Sequence, residues 1–124
     1  MNERVDLLAI AAHRDDVELT CGGTLAKAAQ AGHRVGIIDL TQGEMGTRGD
    51  ASTRAAEAER AAKTLGVAIR LNAEMRDAHL ANDDPSRGIL VELIRRTQPR
   101  VVILPFPVGR HPDHRIASEL GRDA

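Results

Sequence analysis

With 124 residues, 42% hydrophobic and 28% charged, the chain has the size and composition of one globular domain spanning residues 1–124. Its formal net charge of −1, without runs of like charge, argues against nucleic acid or an acidic membrane surface as a partner. No apolar stretch is long enough to span a membrane or to form a leader, and the single cysteine, Cys21, cannot make an internal disulfide, so a cytoplasmic location is expected.

Buried apolar segments alternate with amphipathic helical patterns along the chain. Residues 5–12 are predicted to form a strand buried on both faces, and residues 35–40 a second buried strand. Two further strands are predicted at residues 67–71 and 101–104. The predicted helices are residues 22–31, 54–65, 86–97 and a last one from near Pro112. Residues 41–52 and 72–85 are predicted to be irregular because they lack a period and are rich in turn-forming residues.

This alternation predicts an α/β fold, a Rossmann-like three-layer sandwich with a mainly parallel sheet and right-handed crossovers. The chain ends inside its last predicted helix, so we expect the fold to be truncated at its C-terminus. The core is expected to be thin, because the sequence has one Phe and neither Trp nor Tyr. A thin core favours a homo-oligomer. Ligands of such sheets bind at the carboxyl ends of the strands.

The loop after the first predicted strand, His13-Arg14-Asp15-Asp16-Val17-Glu18, is dense in metal-binding side chains. A catalytic zinc takes about three protein ligands and keeps one position open, and His13 and Asp16 could supply two. Asp15, beside them, could act as a general base. The alternative is that Asp15 or Asp16 caps the next helix and that His13 is a turn residue. This stretch alone does not decide between the two interpretations.

The loop after the fourth predicted strand reads Arg110-His111-Pro112-Asp113-His114. His111 and His114 are three positions apart at a helix start, so they can face one side. A surface turn with Pro112 at the first helical position is the alternative. In this topology the fourth strand commonly lies beside the first, which would bring both loops to one sheet edge. Two His/Asp clusters at one edge favour a metal site.

Three further residues carry weaker signals. Arg54 is predicted in the first turn of a helix, where the helix dipole disfavours a cation, so it either binds substrate or pairs with Glu57 or Glu44. Asp39 ends the second strand, where dinucleotide-binding folds hold a ribose, but the acidic turn after the first strand would repel a pyrophosphate. Cys21 is interpreted as a small buried apolar residue.

Four motifs together resemble those of the PIG-L/LmbE-like zinc deacetylases. They are His-x-Asp-Asp-x-Glu, Gly-Gly-Thr-Leu-Ala, Leu-Thr-x-Gly-Glu-x-Gly-Thr-Arg-Gly and a late His-Pro-Asp-His, and they cover nearly the whole chain. Within the family, Met75-Arg76-Asp77, Arg87-Gly88 and the Arg-His-Pro-Asp-His block look nearest to the bacillithiol-pathway enzymes. Those enzymes deacetylate N-acetylglucosaminyl malate.

The resemblance implies a metal-dependent hydrolase that removes the N-acetyl group from a small N-acetylglucosamine conjugate. It implies one Zn²⁺ per chain with His13, Asp16 and His114 as ligands, a set that also fits ferrous iron or cobalt. The resemblance further implies Asp15 as the general base.

The remaining implied roles belong to residues around the metal. His111 would stabilise the oxyanion or protonate the leaving amine, and Asp113 would orient a histidine. Arg54 would bind the substrate.

Two departures from the family pattern support a competing hypothesis. Arg14 stands where the family has proline, which loosens the turn that aims His13 and Asp16. Family members also continue well past position 124. The alternative function is therefore a non-catalytic or impaired remnant that acts as a binding or oligomerisation module.

Overall fold

A computed structural model describes residues 3–45 and 50–124, and its elements alternate in the predicted order. The strands are β1 (Leu7–Ala11), β2 (Val35–Thr41), β3 (Ile69–Met75) and β4 (Val101–Ile103). The helices are α1 (Asp16–Thr20), α2 (Gly22–Gln30), α3 (Ala51–Leu65), α4 (Asp84–Thr97) and α5 (Pro112–Asp123).

The four strands form one parallel sheet in the order β3-β2-β1-β4. β1 lies in the middle, with Leu7 opposite Val35 of β2 on one side and Val101 of β4 on the other. The predicted adjacency of the first and fourth strands is confirmed. Because parallel strands end at the same edge, the loops after β1 and β4 leave the sheet next to each other.

Alternate residues of the central strands face two separate cores, so the predicted three layers are present. On one face, Leu8 and Ile10 of β1 pack with Leu90 of α4 and Leu120 of α5. On the other, Ala9 and Ala11 pack with Val17 of α1 and Leu25 of α2. The side chains that fill both cores are aliphatic, as the scarcity of aromatics predicts, and Phe106 lies on the surface.

The helix ends follow from local sequence. Asp50 caps α3 by accepting the backbone N–H of Thr53 at 2.7 Å, and Asp83 caps α4 in the same way at Ser86. Gly66 ends α3 with a φ of 78°, a left-handed conformation that glycine adopts without strain.

Several predicted boundaries are wrong. Residues 72–85 are not irregular throughout, because β3 continues to Met75 and α4 begins at Asp84. Cross-strand pairing extends β3, with Thr41 opposite Met75, although its sequence is too polar to predict a strand. Helix α1 precedes the predicted first helix, and α3 begins at Ala51, inside the predicted loop. Of that loop, residues 46–49 lie outside the described part of the chain.

Cys21 and Asp39 can now be placed. Cys21 is half-buried, not fully buried, and packs against the core formed by Ala9, Ala11, Val17 and Leu25. Asp39 is 1% exposed, and both its carboxylate oxygens accept hydrogen bonds from Arg70, at 2.7 and 3.0 Å. Because both oxygens of Asp39 are bound by Arg70, they do not face a ribose, and the structure gives no support for a dinucleotide site at Asp39.

Candidate metal centre

The three predicted metal ligands come together at the carboxyl edge of the sheet. His13 follows β1, Asp16 is the first residue of α1, and His114 lies in the first turn of α5 after β4. The pairing of β1 with β4 brings these segments together, although about a hundred residues separate His13 from His114 in the chain. One donor atom from each residue lies within 4.8 Å of the other two.

The carboxylate of Asp16 is the centre of this cluster. Its Oδ2 lies 3.3 Å from Nδ1 of His13 and 3.1 Å from Nε2 of His114. Donor atoms that share one tetrahedral Zn²⁺ at about 2.0–2.2 Å are about 3.3 Å apart, so both separations fit ligands of a common ion. Two imidazoles and a carboxylate also form a set that zinc accepts.

The Nε2 atom of His114 gives an independent test of the fit. It is shielded from solvent and has no hydrogen-bond partner among residues 3–45 and 50–124, because its approach to Asp16 lacks hydrogen-bond geometry. A buried imidazole nitrogen without a partner costs free energy, and a metal ion between it and Asp16 would satisfy both atoms. The residues present therefore fit a divalent ion.

The other ring nitrogen of His13 is held by two carboxylates. Nε2 of His13 lies 3.0 Å from Oδ2 of Asp113 and 3.1 Å from Oδ1 of Asp77. Metal-bound histidines commonly donate their second ring N–H to a carboxylate, which fixes the ring and its tautomer. The contact with Asp113 agrees with its predicted place beside a histidine.

Asp113 is itself fixed by the backbone. It is 1% exposed and accepts the N–H groups of Ala78 at 2.7 Å and Leu80 at 3.2 Å. Asp77 was not predicted as a site residue. It belongs to the segment after β3, and no local pattern around it indicates a contact with a histidine in the loop after β1. Asp77 also accepts the N–H of Met45 at 2.8 Å, which ties the loop after β2 to the site.

The carboxylates around His13 control its charge in the metal-free chain. Burial alone would lower the pKa of His13, but the hydrogen bonds to Asp16 and Asp113 outweigh it and raise the pKa to about 9. Burial likewise opposes the shifts of Asp16 and Asp113, and the bond to His13 leaves the pKa of each carboxyl below its usual value. Metal binding must therefore displace a proton from His13.

Asp15 is free of the capping role that was the alternative to a catalytic one. It occupies the N-cap position of α1, but its side chain makes no capping hydrogen bond. Its φ of 81° is left-handed, a strained conformation for a residue other than glycine that is often found at functional sites. Burial and the neighbouring Asp16 raise the pKa of Asp15. A raised pKa suits a carboxylate that must accept a proton.

His111 caps a helix, and its ring also lies beside His13. Its Nδ1 accepts the N–H of Asp113 at 3.1 Å, which caps α5 as the turn interpretation expects. Since Nδ1 is an acceptor, the neutral ring carries its proton on Nε2, where it can be donated. The ring centroid of His111 is 4.8 Å from that of His13. A second possible metal group, His13, His111 and Asp113, is already hydrogen-bonded internally.

A cavity of about 290 Å³ opens over the cluster. It is lined by residues from the loops after β1, β2, β3 and β4 and by α3: His13, Asp15, Asp16, Gly43, Met45, Arg54, Asp77, Ala78 and His111. Arg54 thus forms part of the wall of this cavity. Its guanidinium lies over Gly43, where an added Cβ would be 3.1 Å from Nη1, so glycine at this position makes room for the arginine.

Arg14 does not line this cavity. It is half-buried and lines two other cavities, of about 400 and 180 Å³, the larger of which also contacts Asp39 and Arg70. The loop still brings His13 and Asp16 within 3.3 Å of each other. The absence of proline therefore does not prevent the ligands from converging.

The family model for GlcNAc-PI de-N-acetylases, PIG-L, matches residues 8–124, which is nearly the whole chain and the range in which the seven predicted site residues lie. The chain belongs to the PIG-L family. The expectation drawn from the four motifs is confirmed, and so is the α/β fold class.

Individual PIG-L relatives support the same conclusion. The chain is 35% identical to diacetylchitobiose deacetylase of Thermococcus kodakarensis over 99% of its own length and 50% of the relative's. It is 30% identical to the 1D-myo-inositol 2-acetamido-2-deoxy-alpha-D-glucopyranoside deacetylase of Mycobacterium tuberculosis, over 92% of this chain and 48% of that protein. The crystal structure of the conserved protein TT1542 from Thermus thermophilus superposes with a TM-score of 0.92 at 46% identity, over 95% of this chain and 54% of that one.

The chain thus spans about half the length of these relatives. Among the described residues, 3–45 and 50–124, no helix is long and apolar enough to cross a membrane.

Proposed function

We propose that this PIG-L chain belongs to a metal-dependent N-deacetylase that hydrolyses the acetamide of an amino sugar. The observation that carries the proposal is the convergence of His13, Asp16 and His114, with donor atoms at separations that fit one tetrahedral ion. Deacetylation is the activity named for the relatives from Thermococcus kodakarensis and Mycobacterium tuberculosis, and both act on an N-acetylated glucosamine unit.

His13, Asp16 and His114 would hold the ion, and Asp113 would orient His13. A bound divalent ion supplies a Lewis acid that polarises the acetyl carbonyl and lowers the pKa of a water molecule. Asp15 would accept a proton from the attacking water, which its raised pKa favours. The Nε2–H of His111 would donate to the carbonyl oxygen as that oxygen gains negative charge.

The bond changes are those of amide hydrolysis. A C–O bond forms between the water oxygen and the acetyl carbon, and the C–N bond to the sugar breaks. The proton accepted by Asp15 passes to the nitrogen, so the products are acetate and a free amino sugar. Arg54 would bind the part of the substrate that extends over the loop after β2, and its planar guanidinium suits a carboxylate.

We further propose N-acetylglucosaminyl malate, the bacillithiol-pathway conjugate, as the substrate. The support is Arg54 on the cavity wall, which could pair with a malate carboxylate, together with the sequence features nearest to that subgroup. We also propose that the native metal is zinc, that the protein forms a homo-oligomer and that it is located in the cytoplasm.

The test is acetate release from N-acetylglucosaminyl malate and from N-acetylglucosamine, with added Zn²⁺ and with chelator. We expect metal-dependent release from both and faster release from the malate. Asp15→Asn should lower kcat at least a hundredfold at unchanged zinc affinity, because general-base catalysis contributes about 10²–10⁴-fold. Asp6→Asn, on the surface far from the cluster, is the matched control.

No release by folded, zinc-loaded protein would refute the activity for this chain and favour the impaired remnant. Equal rates on the two substrates would refute the malate alone.

A further inference from the structure

Helix α1 carries a metal ligand yet is too short to be stable by itself. It has five residues, and isolated helices need about 12–15 residues to form in water, so tertiary contacts must hold it. Val17, which is buried, supplies one such contact. Asp16 precedes it and faces the metal cluster, while Glu18 follows it and points in another direction, because residues two apart do not share a helix face.

The side chain of Glu18 contacts Arg70, a partly buried arginine on the edge strand β3. Oε1 of Glu18 is shielded from solvent and lies 3.0 Å from Nη1 of Arg70 on β3, as an ion pair without hydrogen-bond geometry. The same guanidinium donates to both oxygens of Asp39 on β2 and, at 3.2 Å, to the carbonyl of Ala58 on α3. One side chain therefore links two strands and α3 to α1.

Glu18 is a second carboxylate that faces Arg70, in addition to Asp39. The side chain of Arg70 is only 9% exposed, and two carboxylates surround its single positive charge. Burial alone would lower the pKa of Arg70, but the hydrogen bonds to Asp39 and the charge of Glu18 raise it above its usual value. Asp39 already compensates the guanidinium with two hydrogen bonds, so Glu18 is not required to neutralise it.

We propose that Arg70 is a positioning residue for the metal centre: through Glu18 it fixes helix α1, and thereby the carboxylate of Asp16, at the ligand position. The inference rests on the proposed metal site. Arg70 touches none of the three predicted ligands, and its effect is exerted through the backbone of α1. The guanidinium itself is held firmly, because Asp39 and Ala58 accept hydrogen bonds from all three of its nitrogens.

The decisive variant is Glu18→Gln, which keeps the size of the side chain and removes the charge that Arg70 attracts. Its zinc affinity is measured by competition with a chromophoric chelator, and its coordination by the visible absorption spectrum of the Co²⁺-loaded protein. We expect zinc affinity to fall about 10–100-fold, as for other residues that support metal ligands indirectly, and the Co²⁺ spectrum to change. A purely stabilising role would alter neither value in folded protein.

The matched control is Glu3→Gln. Glu3 forms a surface ion pair with Arg96, whose guanidinium donates to its two carboxylate oxygens at 2.6 and 2.8 Å. The zinc affinity and Co²⁺ spectrum of Glu3→Gln should equal those of the wild type. Urea unfolding in chelator shows that both variants are folded. Wild-type affinity and spectrum in Glu18→Gln would overturn the inference while leaving the proposed function intact, whereas no zinc binding by the wild type would overturn both.

A second comparison separates the two arms of the network. Asp39→Asn, which weakens the other partner of Arg70, should lower the free energy of unfolding but reduce zinc affinity less than Glu18→Gln does. The inference is wrong if Asp39→Asn weakens zinc binding more than Glu18→Gln, because the route from Arg70 to Asp16 would then not run through α1.

Discussion

Replacing Asp113 with asparagine should lower both the stability and the zinc affinity of the chain. Oδ2 of Asp113 accepts bonds from Ala78 and His13, and Oδ1 accepts one from Leu80. An amide offers one acceptor oxygen and presents N–H groups in place of the other. At least one buried backbone donor therefore loses its partner, and the contact with His13 loses its charge.

The size of the effect follows from these contacts. An unpaired buried donor costs about 1–3 kcal/mol, and a hydrogen bond to a charged group is worth about 1 kcal/mol more than a neutral one. We therefore expect Asp113→Asn to cost about 2–4 kcal/mol, a large part of the roughly 5–15 kcal/mol that stabilises a typical domain. Zinc affinity should fall about 10–100-fold because His13 loses one of the two carboxylates that hold its Nε2, leaving only Asp77 at 3.1 Å.

Urea unfolding in the presence of chelator measures the first effect, and competition with a chromophoric chelator measures the second. Asp123→Asn is the matched control, since Asp123 lies on the same helix and accepts its bond from Asn82 on the surface. It should change stability by less than about 0.5 kcal/mol. Wild-type stability in Asp113→Asn would refute the account of the backbone contacts, and lost stability with unchanged zinc affinity would refute the orienting role.

Three further predictions concern pH, packing and substrate. In chelator, the pKa of His13 is about 9 in the folded chain against 6.5 in the unfolded one. The protonated His13 therefore stabilises the fold fully below pH 6.5, and this contribution is lost as the pH rises through about 9. A free energy of unfolding that rises over this range would contradict the assignment. Gly36→Ala should lower the free energy of unfolding by about 1–3 kcal/mol, because the new Cβ would lie 3.1 Å from two core side chains. Gly88→Ala, on an open helix surface, should leave the stability unchanged or raise it. Equal urea midpoints for the two variants would refute this difference. Arg54→Lys should raise KM about tenfold for N-acetylglucosaminyl malate and less for N-acetylglucosamine, since lysine lacks the planar guanidinium that pairs with a carboxylate. Identical changes in KM for the two substrates would refute the proposed contact between Arg54 and the malate.

Local sequence was sufficient where one segment alone sets the structure. The apolar runs of β1 and β2 predict buried strands, and Gly66 predicts the end of α3, because burial and left-handed backbone leave direct marks on residue type. The polar segment after Leu71 was predicted wrongly. It continues as a strand because it pairs with β2, and no residue within the segment reveals that pairing.

Neither loop alone identified the candidate metal ligands, because each could also be interpreted as a helix cap or a surface turn; the ligand set came from the family resemblance. Which of them converge was an inference from topology. It depends on the order β3-β2-β1-β4, which places His114 beside Asp16. A different strand order with the same residues would have separated the two loops.

The sequence by itself determined the chemistry available to this protein: the types of the candidate metal-binding residues, the strands that precede them and the family to which the motifs belong. Only the tertiary structure decided how those groups are supported. Asp77 beside His13 lies in a stretch whose sequence resembles a family subgroup but indicates no contact with a histidine, and Arg70 contacts α1 from a strand that was given no role at the site. The physical reason is that hydrogen bonds and ion pairs act between atoms a few ångströms apart, and the fold alone sets which distant residues reach that distance.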